Sequence, residues 1–480
     1  MLTLADVLEA VLNVRPARAE QIAISDVVVD SRQARAGSLF IALKGESLDG
    51  HDFIRDAFAR GAAVVIAEPR VVGLGLGPRV HLFDSTQVGA AGLQPGAKPR
   101  VPAIVIADSS LDALHHLATF WRKKFSHCKT IGVTGSVGKS STKEMIAAVL
   151  RQRFRTLKSE GNLNSETGLP LMIFRMNETH ERAVLEMAMY ARGEIRALCA
   201  IARPSIGVVT NIGPSHLERL GTLERIAQAK AELIESLPRD GVAILNGDDA
   251  RVLAMRAQTR ARVMSYGTRP DFDMWADAIE SRGLDGIAFT LHHGIEKIPV
   301  RVPMLGKHVV HNALAAAAVG IAEEIGWDDI VRGLQDESAQ LRLVAIPDEN
   351  GATILDDTYN ASPASSLSAL DLLASLRGRK LAVLGDMREL GAMEKPGHQI
   401  VGERVAQVAD ILIAVGARGK WIGDAARDAG MMAEKIFFAA ENADAIAIVR
   451  ELARAGDVIL VKGSRGVAME EIVSAIKRKA

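Results

Sequence analysis

The stretch VTGSVGKSSTKEM, Val133 to Met145, sets two glycines, Gly135 and Gly138, just before Lys139, Ser140 and Ser141. A strand-like run, KTIGV, leads into it, and TKEMIAAVLRQRF continues at helical spacing. Glycines and a cation at the mouth of a helix suit a phosphate. The helix end presents N–H groups and a partial positive charge, and glycine lets the backbone wrap close to an anion. Lys139 then supplies a full charge for the terminal phosphates, and the Ser140 hydroxyl can ligate Mg²⁺. The general phosphate-loop pattern has a glycine where this chain has Val133, so a glycine-softened turn with a surface lysine is the plain alternative. The order strand, glycines, Lys-Ser, helix favours phosphate. Residues Gly135, Ser136, Val137, Gly138, Lys139, Ser140 and Ser141 are the expected cradle.

With 480 residues the chain exceeds one ordinary core, and about three domains are expected. Lys plus Arg and Asp plus Glu both total 58, so zero net charge argues against a nucleic-acid or membrane-surface partner. The longest apolar run, ALAAAAVGIA, is too short to span a bilayer, and MLTLADVLEAVL lacks the basic start of a signal peptide. Two separated cysteines, Cys128 and Cys199, cannot make a zinc site. The expectation is a soluble, cytoplasmic enzyme.

Three α/β domains are read along the chain, over residues 1–107, 108–336 and 337–480. The first mixes strands (AISDVVVDSR, GSLFIALKG) with the helix and strand of HDFIRDAFARGAAVVIAE. The glycine- and proline-rich stretch Val71–Pro102 reads as a surface insertion with little packing duty. In the second, RAVLEMAM, SIGVVTNI and GVAILNGDD are near-continuous apolar strands between helices, which means a mainly parallel sheet covered on both faces. The third alternates ATILDD, KLAVLGD, ADILIAVG, KIFFAA and DVILVKG with helices, a Rossmann-like order that puts Asp357, Asp386, Gly416 and Lys462 at strand tips.

Glu186, Asn211 and His216 come after neighbouring central strands and, with Ser140, offer oxygen and imidazole ligands of the kind a Mg²⁺–nucleotide site uses. His216 alone would pass as a turn residue. Lys230 lies on the helical run GTLERIAQAKAELIE, where an isolated lysine is ordinarily a solvated surface group. DDTYNASP is either an Asx-type turn or a ribose-binding acid past a strand tip. LGDMRELG and VKGSRG share its form: strand, glycine, charge.

In order, TGSVGKS, GNLNSETGLP, LEMAM, TNIGPSHLERLG, AKAELI, HNALAAAA, DDTYNASP, LGDMRELG and VKGSR resemble the Mur ligases over nearly the whole chain apart from the insertion. The N-terminal DSRQARAGSLFIALKGESLDGHDFI is similar to that family's UDP-binding domain. The resemblance implies a UDP-substrate domain, a central P-loop ATPase domain and a C-terminal Rossmann-like ligase domain. It assigns Lys139 to the β- and γ-phosphates, Ser140 to the first Mg²⁺, and Glu186 and His216 to a second Mg²⁺ or its waters. Lys230 falls where family members carry a carbamylated lysine. Asn312 resembles the adenine contact, Asp357 the ribose contact, Asn360 a further residue of the ATP site, and Arg342 the arginine that reaches the phosphates on closure. Ser31, Arg32, Gly50 and Asn162 resemble contacts to the UDP-sugar. Ser140 stands where threonine is common, Leu341 where a glycine is usual, and Ser165 where a second asparagine is common.

The resemblance further implies a two-step amide ligation by a monomer. ATP phosphorylates the carboxylate of a UDP-N-acetylmuramoyl-tripeptide, and the amine of D-alanyl-D-alanine displaces phosphate, in peptidoglycan synthesis. The rivals are a sibling ligase adding another amino acid and a P-loop regulatory NTPase.

Overall fold

The computed structural model describes residues 1–45, 47–71, 80–84, 99–215, 217–339 and 343–478. Sequence expectations for His216, Arg342 and much of the 71–102 stretch therefore lie outside the described residues. By internal contacts the chain divides into two compact units. One comprises Met1–Thr130, Leu157–Met187 and Arg196–Arg203; the other comprises Ile131–Thr156, Ala188–Ile195 and Pro204–Ala480.

The first unit is built on a parallel sheet of β1 (Val27–Val28), β2 (Leu39–Ile41), β3 (Val64–Ala67), β4 (His81–Asp84) and β5 (Ala103–Ile106), in the order β1-β2-β3-β5-β4. Every residue of β2, β3 and β5 is buried, which is why these strands read as continuous apolar runs rather than alternating ones. The expected surface insertion proves wrong at its described residues. Val71 is buried, and His81–Asp84 is a sheet edge that pairs with β5 and buries Phe83 to 2% exposure. Glycine and proline around a four-residue strand had hidden it.

In the second unit the phosphate-loop strand β6 (Lys129–Thr134) pairs in parallel with β9 (Ile206–Val209), β9 with β10 (Val242–Asn246), and β10 with β11 (Arg262–Gly267). Beyond them β12 (Met274–Ser281), β13 (Ile287–His293) and β14 (Glu296–Val302) form an antiparallel meander that no sequence motif marks. Strands β7 (Thr156–Lys158) and β8 (Arg182–Glu186) precede β9 in the chain.

The C-terminal sheet runs β15-β16-β20-β17-β18-β19, from β15 (Val344–Pro347), β16 (Thr353–Asp357), β17 (Lys380–Leu384), β18 (Ile411–Val415), β19 (Ile436–Ala439) and β20 (Val458–Lys462). Only the β15–β16 pair is antiparallel. Alternate residues supply its two faces. Leu355, Ala382, Leu384, Leu412 and Leu460 share a core with Leu370 and Leu373, whereas Ile354, Leu381, Val383, Ile413 and Ile459 share one with Val449 and Ile472. Five strands read from the sequence all form, as does the expected doubly wound order. Because β4 is integral to its sheet, Phe83→Ala should cost about 3 kcal/mol in the stability of the first unit. Denaturant unfolding would check this, and a loss below about 1 kcal/mol would restore the insertion reading.

Candidate active site

The helix Lys139–Arg151 starts on Gly138, whose φ of +85° is a left-handed conformation that suits glycine. Gly135 has φ +148°, and a methyl there would lie 1.9 Å from Thr210 Oγ1. Both glycines are thus needed to bring the loop against the segment after β9.

That segment grips the loop along its length. Val137 N–H donates to Asn211 Oδ1 (2.9 Å), while Asn211 Nδ2 and Thr210 Oγ1 both donate to Val137 O (2.9 and 2.7 Å). Ser136 N–H donates to Asn211 O, and the Ser136 hydroxyl exchanges hydrogen bonds with Gly213. The grip is itself anchored at the tip of β10, where Asn246 Nδ2 donates to Thr210 O and Asp249 accepts from Ile212 N–H. Asn211 was expected to be an oxygen ligand. Its amide is instead spent on the backbone of Val137, so it positions the loop.

Lys139 Nζ donates to Gly135 O (2.9 Å) and Ser136 O (3.4 Å). Lys230 Nζ donates to the same Gly135 O, also at 2.9 Å, and is 1% exposed. The solvated-helix reading of Lys230 is therefore wrong. Helical periodicity could not reveal it, because the neighbour that buries Lys230 is a loop 95 residues away. Two amino groups on one carbonyl concentrate positive charge where phosphates would lie. Ser140 is buried in the first turn of the same helix. Asn312 also reaches this helix: its Oδ1 accepts from Thr142 Oγ1 (3.1 Å), and its buried Nδ2 has no partner among the described residues. Next to it, His311 is fixed by Asp248, which also accepts from Thr268.

At the C-terminal strand tips the acids divide by role. Asp357, at the end of β16, is buried and paired with Lys462, whose Nζ also donates to Asn360 O. Asp356 Oδ1 accepts from Thr358 N–H (3.1 Å), the Asx turn of the plain reading, and Asn360 Oδ1 accepts from Ala361 N–H. Asp386 accepts from the N–H groups of Arg418 and Gly419 (2.9 Å each) and so serves the start of helix Gly416–Asp428.

In the first unit, Glu186 closes β8 with Oε1 accepting from Asn164 Nδ2 (2.8 Å) and with Oε2 buried and unpartnered among the described residues. A buried carboxylate oxygen left open is suited to a hard cation such as Mg²⁺. The sequence motifs did not single out Asn164, its orienting partner; it sits two residues past Asn162, which is exposed. Ser31 Oγ donates to Asp56, and Arg32 is an exposed partner of Asp30. Gly50 N–H donates to Leu43 O, and a side chain at Gly50 would collide with that backbone. The neighbouring Asp49 carboxyl, despite burial that would raise it, is held at about 2 by hydrogen bonds from His51 and Arg70.

A phosphate loop with a clamped backbone and converging lysines, in a chain that also holds a Rossmann-like domain with a buried acid at its strand tip, defines an ATP-using ligase class. Three family models match in chain order: the Mur ligase family catalytic domain (residues 23–103), the Mur ligase middle domain (133–320) and the Mur ligase glutamate ligase domain (341–465). The chain belongs to the Mur ligase family. It is 38% identical to a UDP-N-acetylmuramoyl-tripeptide–D-alanyl-D-alanine ligase of Bacillus subtilis, over 95% of this chain and 93% of that one. Among solved structures it is similar to MurF from Acinetobacter baumannii, with TM-score 0.82, 29% identity and 98% of each chain covered. MurF ligase from Thermotoga maritima in complex with ADP is similar at TM-score 0.76 and 28% identity, covering 95% of this chain and 97% of that one.

Asn211→Ala would leave Val137 N–H without its acceptor and Val137 O with Thr210 Oγ1 as its remaining donor, a cost of about 1–3 kcal/mol spent on loop order. It should raise the KM for ATP about tenfold or more and leave the KM of a UDP-linked substrate unchanged. Steady-state kinetics with each substrate varied would check this; an unaltered ATP KM would contradict the clamp.

Proposed function

We propose that this chain is an ATP-dependent ligase that joins D-alanyl-D-alanine to UDP-N-acetylmuramoyl-tripeptide in peptidoglycan precursor synthesis. The observation that carries the reading is the clamped phosphate loop with Lys139 and Lys230 on one carbonyl, in a chain similar over nearly its full length to ligases of that name. That full-length similarity speaks against both a regulatory NTPase and a sibling using another amine.

The first step moves the γ-phosphoryl group of ATP onto the tripeptide carboxylate, giving an acyl phosphate and ADP. In the second the dipeptide amine attacks the acyl carbon, loses a proton, and inorganic phosphate leaves. Phosphoryl transfer asks for positioning and charge neutralisation more than covalent help. Lys139 meets the β- and γ-phosphates from the loop that Asn211 holds. Asn312 Nδ2, buried with no partner among the described residues, would donate to the adenine, and Asp357 with Asn360 would take the ribose side. Arg342 would neutralise the phosphates from the C-terminal domain. Ser31, Arg32, Gly50 and Asn162 would hold the UDP-sugar in a first domain ending near residue 107, with the central domain ending near residue 336.

Mg²⁺ would supply further neutralisation of the phosphate charge when bound. The residues that would hold one or two such ions or their waters are Ser140, Glu186, His216 and, as a carbamate, Lys230. The open Glu186 Oε2 supports that role, and Mg²⁺ commonly takes only a few protein oxygens beside substrate phosphates. A carbamate of Lys230 keeps one N–H, so the bond to Gly135 O is compatible with the modification. Among the described residues no helix is long and apolar enough to cross a membrane, and we place the enzyme in the cytoplasm as a monomer that supplies wall growth during cell division.

The direct test is incubation with ATP, Mg²⁺, UDP-N-acetylmuramoyl-tripeptide and D-alanyl-D-alanine, followed by mass analysis for the UDP-pentapeptide. Its absence while ATP is consumed regardless of the tripeptide would favour the regulatory NTPase. For Lys230, equilibration with ¹³CO₂ should give a carbamate carbon signal that Lys230→Ala lacks. That variant should be nearly inactive and partly rescued by a short-chain carboxylic acid. Full activity in the variant would remove Lys230 from the mechanism.

A further inference from the structure

The nucleotide site of the ligase reading has two halves, both within the second compact unit. The phosphate loop follows β6, whereas Asp357, on the ribose side, ends β16 of the C-terminal sheet. One ATP can touch both only if they are held at a set separation. The segment LGDMRELG, Leu384 to Gly391, forms a strut between them.

The strut starts on the row of Asp357. Asp357 pairs with Lys462 of β20, and Lys462 with Leu384 at the end of β17, so the chain leaves β17 two strands, about 10 Å, from the acid. It is then bound along its length. Gly385 N–H donates to Lys462 O, Asp386 O accepts from Ser464 N–H, and Arg388 N–H donates to Ser464 Oγ (2.9 Å). Met387 N–H donates to Nε2 of the fully buried His398 (2.9 Å). Burial holds the His398 pKa down, so its ring stays neutral, with Nε2 an acceptor and Nδ1–H donating to Glu394 O.

The far end of the strut meets the phosphate-loop side. Gly391 (φ +52°) opens the turn Gly391–Met393, which packs on the short helix Leu217–Leu220. A methyl built on Gly391 would lie 2.9 Å from Glu218 Cα and 3.1 Å from Glu218 N, so backbone meets backbone, and neither can swing aside as a side chain can. The short helix is itself seated. Arg219 lies over the Tyr190 ring at 4.6 Å, Leu220 is buried, and the helix packs on Leu223–Glu235, which carries Lys230.

Resting on the ligase reading above, we propose that Gly391 is a positioning residue: its contact with the Glu218 backbone sets the separation of the ribose and phosphate halves of the ATP site. Glycine is needed there for closeness as much as for its φ, because any Cβ drives the two halves apart.

The test separates closeness from backbone conformation. Gly391→Ala and Gly391→Asn both add a Cβ, but asparagine tolerates a left-handed φ. Gly430→Ala imposes left-handed strain (φ +97°) where nothing lies within 4 Å. In the ligation assay both Gly391 variants should raise the KM for ATP tenfold or more and leave that for the UDP-tripeptide unchanged, while Gly430→Ala matches the wild type. Inhibition by inorganic tripolyphosphate, which reaches the phosphate loop alone, should be the same in all four proteins. Four results would each overturn the proposal while leaving the ligase reading intact: an unchanged ATP KM in Gly391→Ala, recovery in Gly391→Asn, equal weakening of ATP and tripolyphosphate, or a melting temperature far lower in Gly391→Ala than in Gly430→Ala. Absence of ligation product from the wild type would instead overturn the reading on which it rests.

Discussion

One side chain organises the nucleotide end of this molecule. Asn211 takes the N–H and supplies a donor to the C=O of Val137, so a single amide fixes the apex of the phosphate loop between Gly135 and Gly138. Everything else at the mouth depends on where that apex lies. Gly135 is pressed against Thr210 so closely that no side chain fits, and its carbonyl faces inward to collect Lys139 and Lys230. The clamp does not float: β9 carries it in register with β6 and β10, and Asn246 and Asp249 brace it from the next strand. An anion site made this way is preorganised, and no reorganisation is needed as charge develops on the transferring phosphoryl group.

The same economy governs the C-terminal strand tips. Asp357, the last residue of β16, and Asp386, two residues past β17, both lie at strand tips, yet Asp386 is consumed by a helix start and Asp357 by a buried lysine. Position at a strand tip marks a residue as available, and its hydrogen bonds decide whether it serves the fold or a ligand.

The fold was legible where strands were apolar throughout. RAVLEMAM, SIGVVTNI and GVAILNGDD announce β8, β9 and β10, because strands buried on both faces cannot hide their composition. Short or amphipathic strands were harder. The four residues of β4 vanish among glycines and prolines, and the β12–β14 meander alternates polar and apolar residues without a motif to draw attention. At the site, the glycine loop and the helix start at Lys139 were readable because they are local to one turn of chain. Asn211, Asn164 and the burial of Lys230 were not, since each depends on a partner from 22 to 95 residues away. Long-range pairing of polar groups leaves no periodic trace.

The central claim is that phosphoryl transfer to a carboxylate links ATP cleavage to amide formation. Labelling the tripeptide's reacting carboxylate with ¹⁸O tests it most directly. An acyl phosphate carries one carboxylate oxygen as its bridging atom, and that oxygen departs with phosphate when the amine attacks. The account predicts one ¹⁸O in each inorganic phosphate released together with the ligated product. Unlabelled phosphate accompanying product would contradict it.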